Sequence, residues 1–447
     1  MPSSDYDRFS AEARALRGAF FDPQRPITLA RAPGWIDLLG GAAPGGPLAL
    51  GWPLGGGSFV ALQPAPEPAL LVHSGEAAAP LSLAALTRPD GHPREYAEAA
   101  AALAGLPSAV RIAGAAWIAL MREEFARFPS GARVLLHPTP GPGWQIGALA
   151  ATAQALVSAF GMRLAPRELG LGCQVAAQRV LDMSVSVLGP LVSVCAPASS
   201  LLQIHAQPAW IWGPLHMPHG ATVWALRVGD GPTTGVSRTE VAAAIAYRMA
   251  ADSEGFTPAE ADARWLGYLA NLGTARFERS LRDLLPASLG GAEFLARYGQ
   301  LPGVAVDPQS SYPVRAAAAL AIGEHFRART AAALLRAAAS KAQREDDLAL
   351  VGELLDQSHW AQRAAGLSDR HADQLADAVA AAGMAAGLYG ARAPATDSGA
   401  TLVVLGRAEA EPVLRTIAQT YAAECGLPVT LFGGSSAGCG PAGTRDL

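Results

Sequence analysis

Lysine is almost absent. Lys341 is the single one, and every other basic side chain apart from histidine is an arginine. A phosphate-loop lysine or a Schiff-base lysine is therefore almost excluded. Cysteine is scarce too. Cys173, Cys195, Cys425 and Cys439 form no Cys-x-x-Cys pair. That removes zinc-ribbon and thioredoxin-like readings and leaves small buried fillers in a reducing compartment. Charged residues make up 16% of the chain against 50% hydrophobic ones, which excludes a disordered, solvated chain. A net charge of -4 argues against nucleic acid as a partner. No uninterrupted apolar run approaches the ~20 residues that span a bilayer. The first residues, Met1–Arg17, are polar and charged, unlike a secretory leader. A cytoplasmic protein without a membrane partner is the expectation.

What is present is enough chain for more than one domain: 447 residues. Residues 5–22 carry the pattern of a short amphipathic helix. Ile27–Ala32 reads as a strand ended by a turn at Pro33-Gly34. Leu48–Leu50 and Phe59–Leu62 read as two strands parted by a glycine-rich turn. Arg133–His137 is a strand that runs into the breaker cluster Pro138–Gly143. Behind it lies an alanine-rich helical stretch, Ile146–Phe160. Strand, glycine loop and helix in that order aim backbone N–H groups at an anion. Trp210, Trp212 and Trp224 alternate as strand faces do, and core packing is their expected use. From Glu240 the chain is mainly helical. Strands at 401–406 and 429–432 then bracket a helix at 410–425. Strands first, helices later, indicate layered α+β domains.

Several glycine-rich segments succeed one another in a telling order. The first is Arg31-Ala32-Pro33-Gly34-Trp35-Ile36-Asp37-Leu38-Leu39-Gly40-Gly41. The second is Gly141-Pro142-Gly143-Trp144-Gln145-Ile146-Gly147-Ala148. Leu171–Gln174, Ser186–Pro190 and Ser193–Cys195 come next, then Glu324–Arg327, Gly352–His359, Gly366–Asp369, Leu388–Arg392 and the tail Gly434–Gly440. Together, over roughly residues 24–441, they resemble the GHMP kinase superfamily in its galactokinase and L-arabinokinase branch. The resemblance implies an α+β, two-domain GHMP kinase fold. A ribosomal S5 domain 2-like N-terminal domain would cover 24–215, and a ferredoxin-like helical C-terminal domain 216–447, with a ligand cleft between them. It also implies ATP, Mg²⁺ and a monosaccharide as ligands.

The departures from that pattern fall on the chemistry. Trp35 stands where the family has an arginine, and Ala42–Gly46 where it has an acidic sugar-binding stretch. Gly189 and Pro190 stand where it has the catalytic Asp and its Gln. No catalytic residue is expected at these positions, and no metal ligand is assigned. The degenerate phosphate loop of Gly141, Gly143, Trp144, Gln145, Gly147 and Ala148 is the expected cofactor contact. It has no hydroxyl or carboxylate for Mg²⁺, and Trp144 is expected to fill nucleotide space. Asp37, Gly40, Gly41, Asp397, Ser398 and Gly399 are the expected substrate contacts. Ser435 and Ser436 are expected to serve a turn. Loss of a positioned base alone costs about 10²–10⁴ in rate. The reading is thus a pseudokinase that binds a sugar, a nucleotide or a protein such as an active kinase paralogue. The alternatives are an active ATP-dependent monosaccharide 1-kinase using Asp182 or Asp397, and a structural partner with a closed cleft.

Overall fold

The computed structural model describes residues 3–40, 48–75, 77–183, 185–206, 209–229, 238–302, 304–340, 344–394 and 400–447. Its strands are β1 (Thr28–Gly40), β2 (Leu48–Ala65), β3 (Ala69–Ser74), β4 (Ala77–Ser82), β5 (Gly131–His137), β6 (Ser200–His205), β7 (Trp210–His216), β8 (Ala221–Val228), β9 (Leu289–Gly290), β10 (Ser311–Tyr312), β11 (Leu388–Arg392), β12 (Thr401–Arg407), β13 (Val429–Phe432) and β14 (Arg445–Asp446). Helix and strand are both abundant, and the architecture is α+β. Among the described residues no helix is long and apolar enough to cross a membrane.

The chain divides into two compact units. Unit 1 comprises Met1–Trp35, Pro53–Ser199 and Gly434–Leu447; unit 2 comprises Ile36–Trp52 and Ser200–Gly433. This division does not follow a single cut between 215 and 216. The first two strands each contribute to both units, and the tail returns to unit 1.

In unit 1 the strand order is β14-β1-β2-β5-β3-β4, with β3 and β5 parallel. Helices Ser108–Arg122, Trp144–Ala159, Pro166–Arg179 and Leu188–Cys195 pack on one another and onto β3 and β5. Two glycine segments expected as turns are extended instead. β1 runs straight through Pro33-Gly34, and β2 is one strand of 18 residues. The reason is close approach. A β-carbon on Gly34 would lie 2.5 Å from the Pro142 carbonyl oxygen, and one on Gly57 would lie 2.5 Å from that of Ala32. These glycines are needed because another backbone touches them, not because the chain reverses.

In unit 2 the strand order is β11-β12-β8-β13, all antiparallel. β12 is buried along nearly its whole length, as its run of Leu402, Val403, Val404 and Leu405 requires. Helices Glu345–Ala364, Arg370–Ala382 and Glu411–Cys425 cover this sheet. A separate helical core gathers Ile245, Trp265, Phe277, Phe294 and Ala318 around helices Arg238–Ser253 and Val314–Ser340. One helix–strand contact in this unit leaves no room for a side chain. A β-carbon on Gly352 would lie 2.1 Å from the Tyr389 carbonyl oxygen, and one on Gly390 would lie 2.2 Å from that of Gly352. With both positions bare, helix Glu345–Ala364 rests directly on β11. Its short polar side chains then reach that strand's backbone.

Candidate functional site

The centre of unit 1 is built around one indole. Trp35 is only 8% exposed. Its backbone N–H donates to the Pro142 carbonyl at 3.2 Å, which ties β1 to the glycine loop. Gly143, at φ 66°, is the N-cap of helix Trp144–Ala159, a conformation in which glycine is unstrained. A β-carbon on Gly143 would stand 2.3 Å from Trp35 Cδ1. One on Gly189, in the first turn of helix Leu188–Cys195, would stand 2.3 Å from Cε2 and 2.4 Å from Cζ2 of the same ring. The ring is therefore wedged between two glycines, and neither position can carry a side chain while it is there. Trp35 Nε1 is buried without a hydrogen-bond partner among the described residues. That costs about 1–3 kcal/mol, which the packing of the ring must offset.

The other loop residues are structural in this arrangement. Gly147 lies against the Pro33 carbonyl, where a β-carbon would be 2.7 Å from the oxygen. Ser193 Oγ donates to that same oxygen at 2.9 Å. Ala148 is fully buried, and its carbonyl accepts from Thr152 Oγ1. Gly141 has φ 155°. Trp144 and Gln145 are half-buried, and the Trp144 carbonyl accepts from Ser58 Oγ at 3.4 Å. The large ring at this centre is thus Trp35. Position 144 opens a helix and points its side chain partly to solvent, whereas position 35 lies on a buried strand. Asp182 is exposed, at φ 54°, just beyond helix Pro166–Arg179.

Ser435 and Ser436 are cross-links and do not serve a turn. Ser436 Oγ donates to the Leu54 carbonyl at 2.8 Å and accepts from Arg31 Nη1 at 2.6 Å, while Ser435 Oγ accepts from the Ser199 N–H at 2.8 Å. The tail is held by hydroxyls that a sequence pattern cannot aim.

In unit 2 the expected substrate residues Asp37 and Gly40 belong to a buried charged cluster. Asp37 and Arg392 are both fully buried, with Arg392 Nη2 3.3 Å from Asp37 Oδ2. Arg392 Nη1 lies 3.0 Å from Glu324 Oε1 and donates to the Leu38 carbonyl at 3.0 Å. Gly40, at φ 82°, donates its N–H to Glu324 Oε1 at 3.1 Å. Burial pushes the Glu324 carboxyl up. Arg392, Arg327, Ser358 Oγ and the Gly40 N–H together outweigh it and hold the group below the usual range. His359 is buried, accepts from the Ala393 N–H at 3.2 Å, and is pushed towards its neutral form by burial. His325, next to Glu324 in sequence, sits apart; burial pushes it down to about 4. Gly41, the stretch Ala42–Gly46, and Asp397, Ser398 and Gly399 lie outside the described residues. The sequence order marked Glu324, Ser358 and Arg392 as parts of the shared pattern without giving them a role. Only the packing of helix on strand brings them together.

The tryptophan expectation is corrected in part. Trp224 is buried in β8, but Trp210 and Trp212 are 63% and 64% exposed. Both stand on the outward side of β7, which among the described strands pairs with β6 alone. All four cysteines are free. Burial pushes the Cys173 and Cys195 thiols up to about 12.

No family model matches the chain. It is 27% identical to the L-arabinokinase of Arabidopsis thaliana over an alignment of 508 residues that takes in 98% of this chain. It spans 48% of that relative, about half its length. The fold superposes on Lactococcus lactis galactokinase complexed with galactose at a TM-score of 0.72, covering 98% of this chain and 100% of that one at 14% identity. The chain has the GHMP kinase fold, and its similarity in sequence is to an L-arabinokinase. A further likeness in fold is the Methanococcus jannaschii mevalonate kinase, at a TM-score of 0.55 and 10% identity over 91% of this chain and 98% of that one. Trp35, Gly143 and Gly189 thus meet at one point of unit 1, an indole against bare backbone.

Proposed function

We propose that this GHMP kinase homologue is a pseudokinase of the galactokinase and L-arabinokinase type. It binds a sugar, a nucleotide or a protein partner and does not transfer phosphate efficiently. The observation that carries the reading is the wedged Trp35. Phosphoryl transfer depends on positioning and on charge at the transferring group. A ring packed against Gly143 and Gly189 supplies neither, and it occupies the volume a carboxylate at 189 would need. ATP with Mg²⁺ does not suit these residues. Between Gly141 and Ala151 there is no hydroxyl or carboxylate to meet a magnesium ion. The N-terminal dipole of helix Trp144–Ala159 still favours an anion, but weakly, since the Trp144 N–H is already given to the Gly141 carbonyl at 3.2 Å.

The test is a coupled ADP-release assay with ATP, Mg²⁺ and a panel of monosaccharides including galactose and L-arabinose. Turnover at background is expected. Turnover within the ~1–100 s⁻¹ usual for kinases would replace this reading with that of an active sugar 1-kinase. Thermal-shift measurements with the same sugars and nucleotides separate a binder, which gains stability by mass action, from a closed structural partner.

A further inference from the structure

One acid holds the ends of two strands. Glu324, on helix Val314–Ser340, is 7% exposed at its side chain. Its Oε1 accepts from the Gly40 N–H at 3.1 Å and faces Arg392 Nη1 at 3.0 Å. Its Oε2 accepts from Ser358 Oγ at 2.7 Å and from Arg327 Nε at 3.1 Å. Both oxygens are thus used as acceptors, each towards a different part of unit 2. Arg392 completes the grip. It donates to the Leu38 carbonyl at 3.0 Å and through Nε to the Ala393 carbonyl at 3.1 Å. The last residues of β1 and the end of β11 therefore meet at Arg392, which pairs with Glu324 and with Asp37. Asp356 and His359 then accept from the Ala391 and Ala393 N–H groups at 2.8 and 3.2 Å, which fixes the same end of β11 from helix Glu345–Ala364.

We infer that Glu324 is a positioning residue for the ligand site: it couples the end of β1, with Asp37 and Gly40, to the end of β11, so that neither loosens alone. This rests on the proposed reading that the chain still binds a ligand through these segments. The charge matters more than the shape. A carboxylate accepts on both oxygens, whereas a carboxamide accepts on one and donates on the other side. In either orientation, Gln at 324 would aim its NH₂ at two donors: Gly40 N–H with Arg392, or Ser358 with Arg327. One side of the grip must open. Loss of a purely stabilising acid would lower the stability of the whole unit, whereas loss of a coupling acid acts locally, loosening a chosen pair of strand ends.

Native-state amide hydrogen exchange on the full chain distinguishes these outcomes. In Glu324→Gln, the Gly40 and Ala393 amides should exchange about tenfold faster or more, together. The Val223 and Leu405 amides in the β8·β12 ladder should keep their protection. Acceleration of Gly40 alone, equal acceleration of all four amides, or no change would each overturn the inference. Ser358→Ala removes one donor to Oε2 and leaves the charge, so it carries the test if Glu324→Gln does not fold. The same paired but smaller acceleration is expected, and its absence would be equally decisive. The readout needs no ligand. A failed ligand screen would count against the proposed function and leave the exchange result standing.

Discussion

Two regions of this chain fill their centres in opposite ways. In unit 1 an indole is packed against bare backbone at Gly143 and Gly189. In unit 2 Asp37, Glu324 and Arg392 form ion pairs although they are almost wholly buried. The difference lies in the partners. The Trp35 ring is held by packing alone. A group whose partners are backbone atoms, as Glu324 is for Gly40 and Arg392 is for Leu38, cannot be removed without stranding those partners.

Arg392→Met should break the comparison most severely. It takes the guanidinium from two buried carboxylates, Asp37 and Glu324, and the loss should lie at the upper end of about 3–5 kcal/mol. A shift of the urea midpoint measures it. A midpoint that barely moves would mean the cluster is dispensable. Next comes the wedge. Trp35→Ala should cost about 3 kcal/mol, the lower end for a buried aromatic, because it also removes a donor without a partner. Gly189→Ala alone should cost about 1–3 kcal/mol by overpacking, yet it should cost little or become favourable in the Trp35→Ala background. A double-mutant cycle tests this, and additive effects would refute the interlock.

The smallest effect concerns pH. Burial pushes the Asp356 carboxyl up to about 6 from an ordinary 3.8, against the Ala391 N–H, which pulls it down. The folded chain therefore holds this proton more tightly than the unfolded one. Stability from this group falls as pH rises from about 4 to about 6 and stays lower above that. Asp356→Asn keeps an oxygen for the Ala391 N–H and removes the titration. It should be more stable than the parent at pH 7 by about 1 kcal/mol, since water reaches part of the carboxyl. The gain should vanish below about pH 4. Melting curves across that range decide it, and a gain that persists at about pH 3.5, below the unfolded carboxyl's range, would contradict the assignment.

The fold was legible because order survives substitution. The α+β reading, most helices, and the glycine loop ahead of helix Trp144–Ala159 come from breakers and periodicity. The two expected turns at Pro33-Gly34 and Gly55–Gly57 were misleading for a physical reason: glycine permits both a reversal and a close contact, and a sequence does not say which. The site was half legible. Trp35 and Gly189 could each be singled out. Their mutual contact could not, since they lie on separate elements and meet only in three dimensions. Trp210 and Trp212 show the opposite failure. Alternation located the strand, but not the side that faces solvent.

The tail has a consequence for how the chain is made. Thr28 pairs with Asp446 and Leu29 with Arg445, so the ladder beside the first strand closes only after more than four hundred further residues have emerged from the ribosome. At about 5–20 residues per second, that wait is on the order of tens of seconds. Every segment of unit 2 has been synthesised by Gly433, before the last segment of unit 1 begins. The half that starts first is thus finished last, and a nascent chain carries an open strand edge throughout the interval.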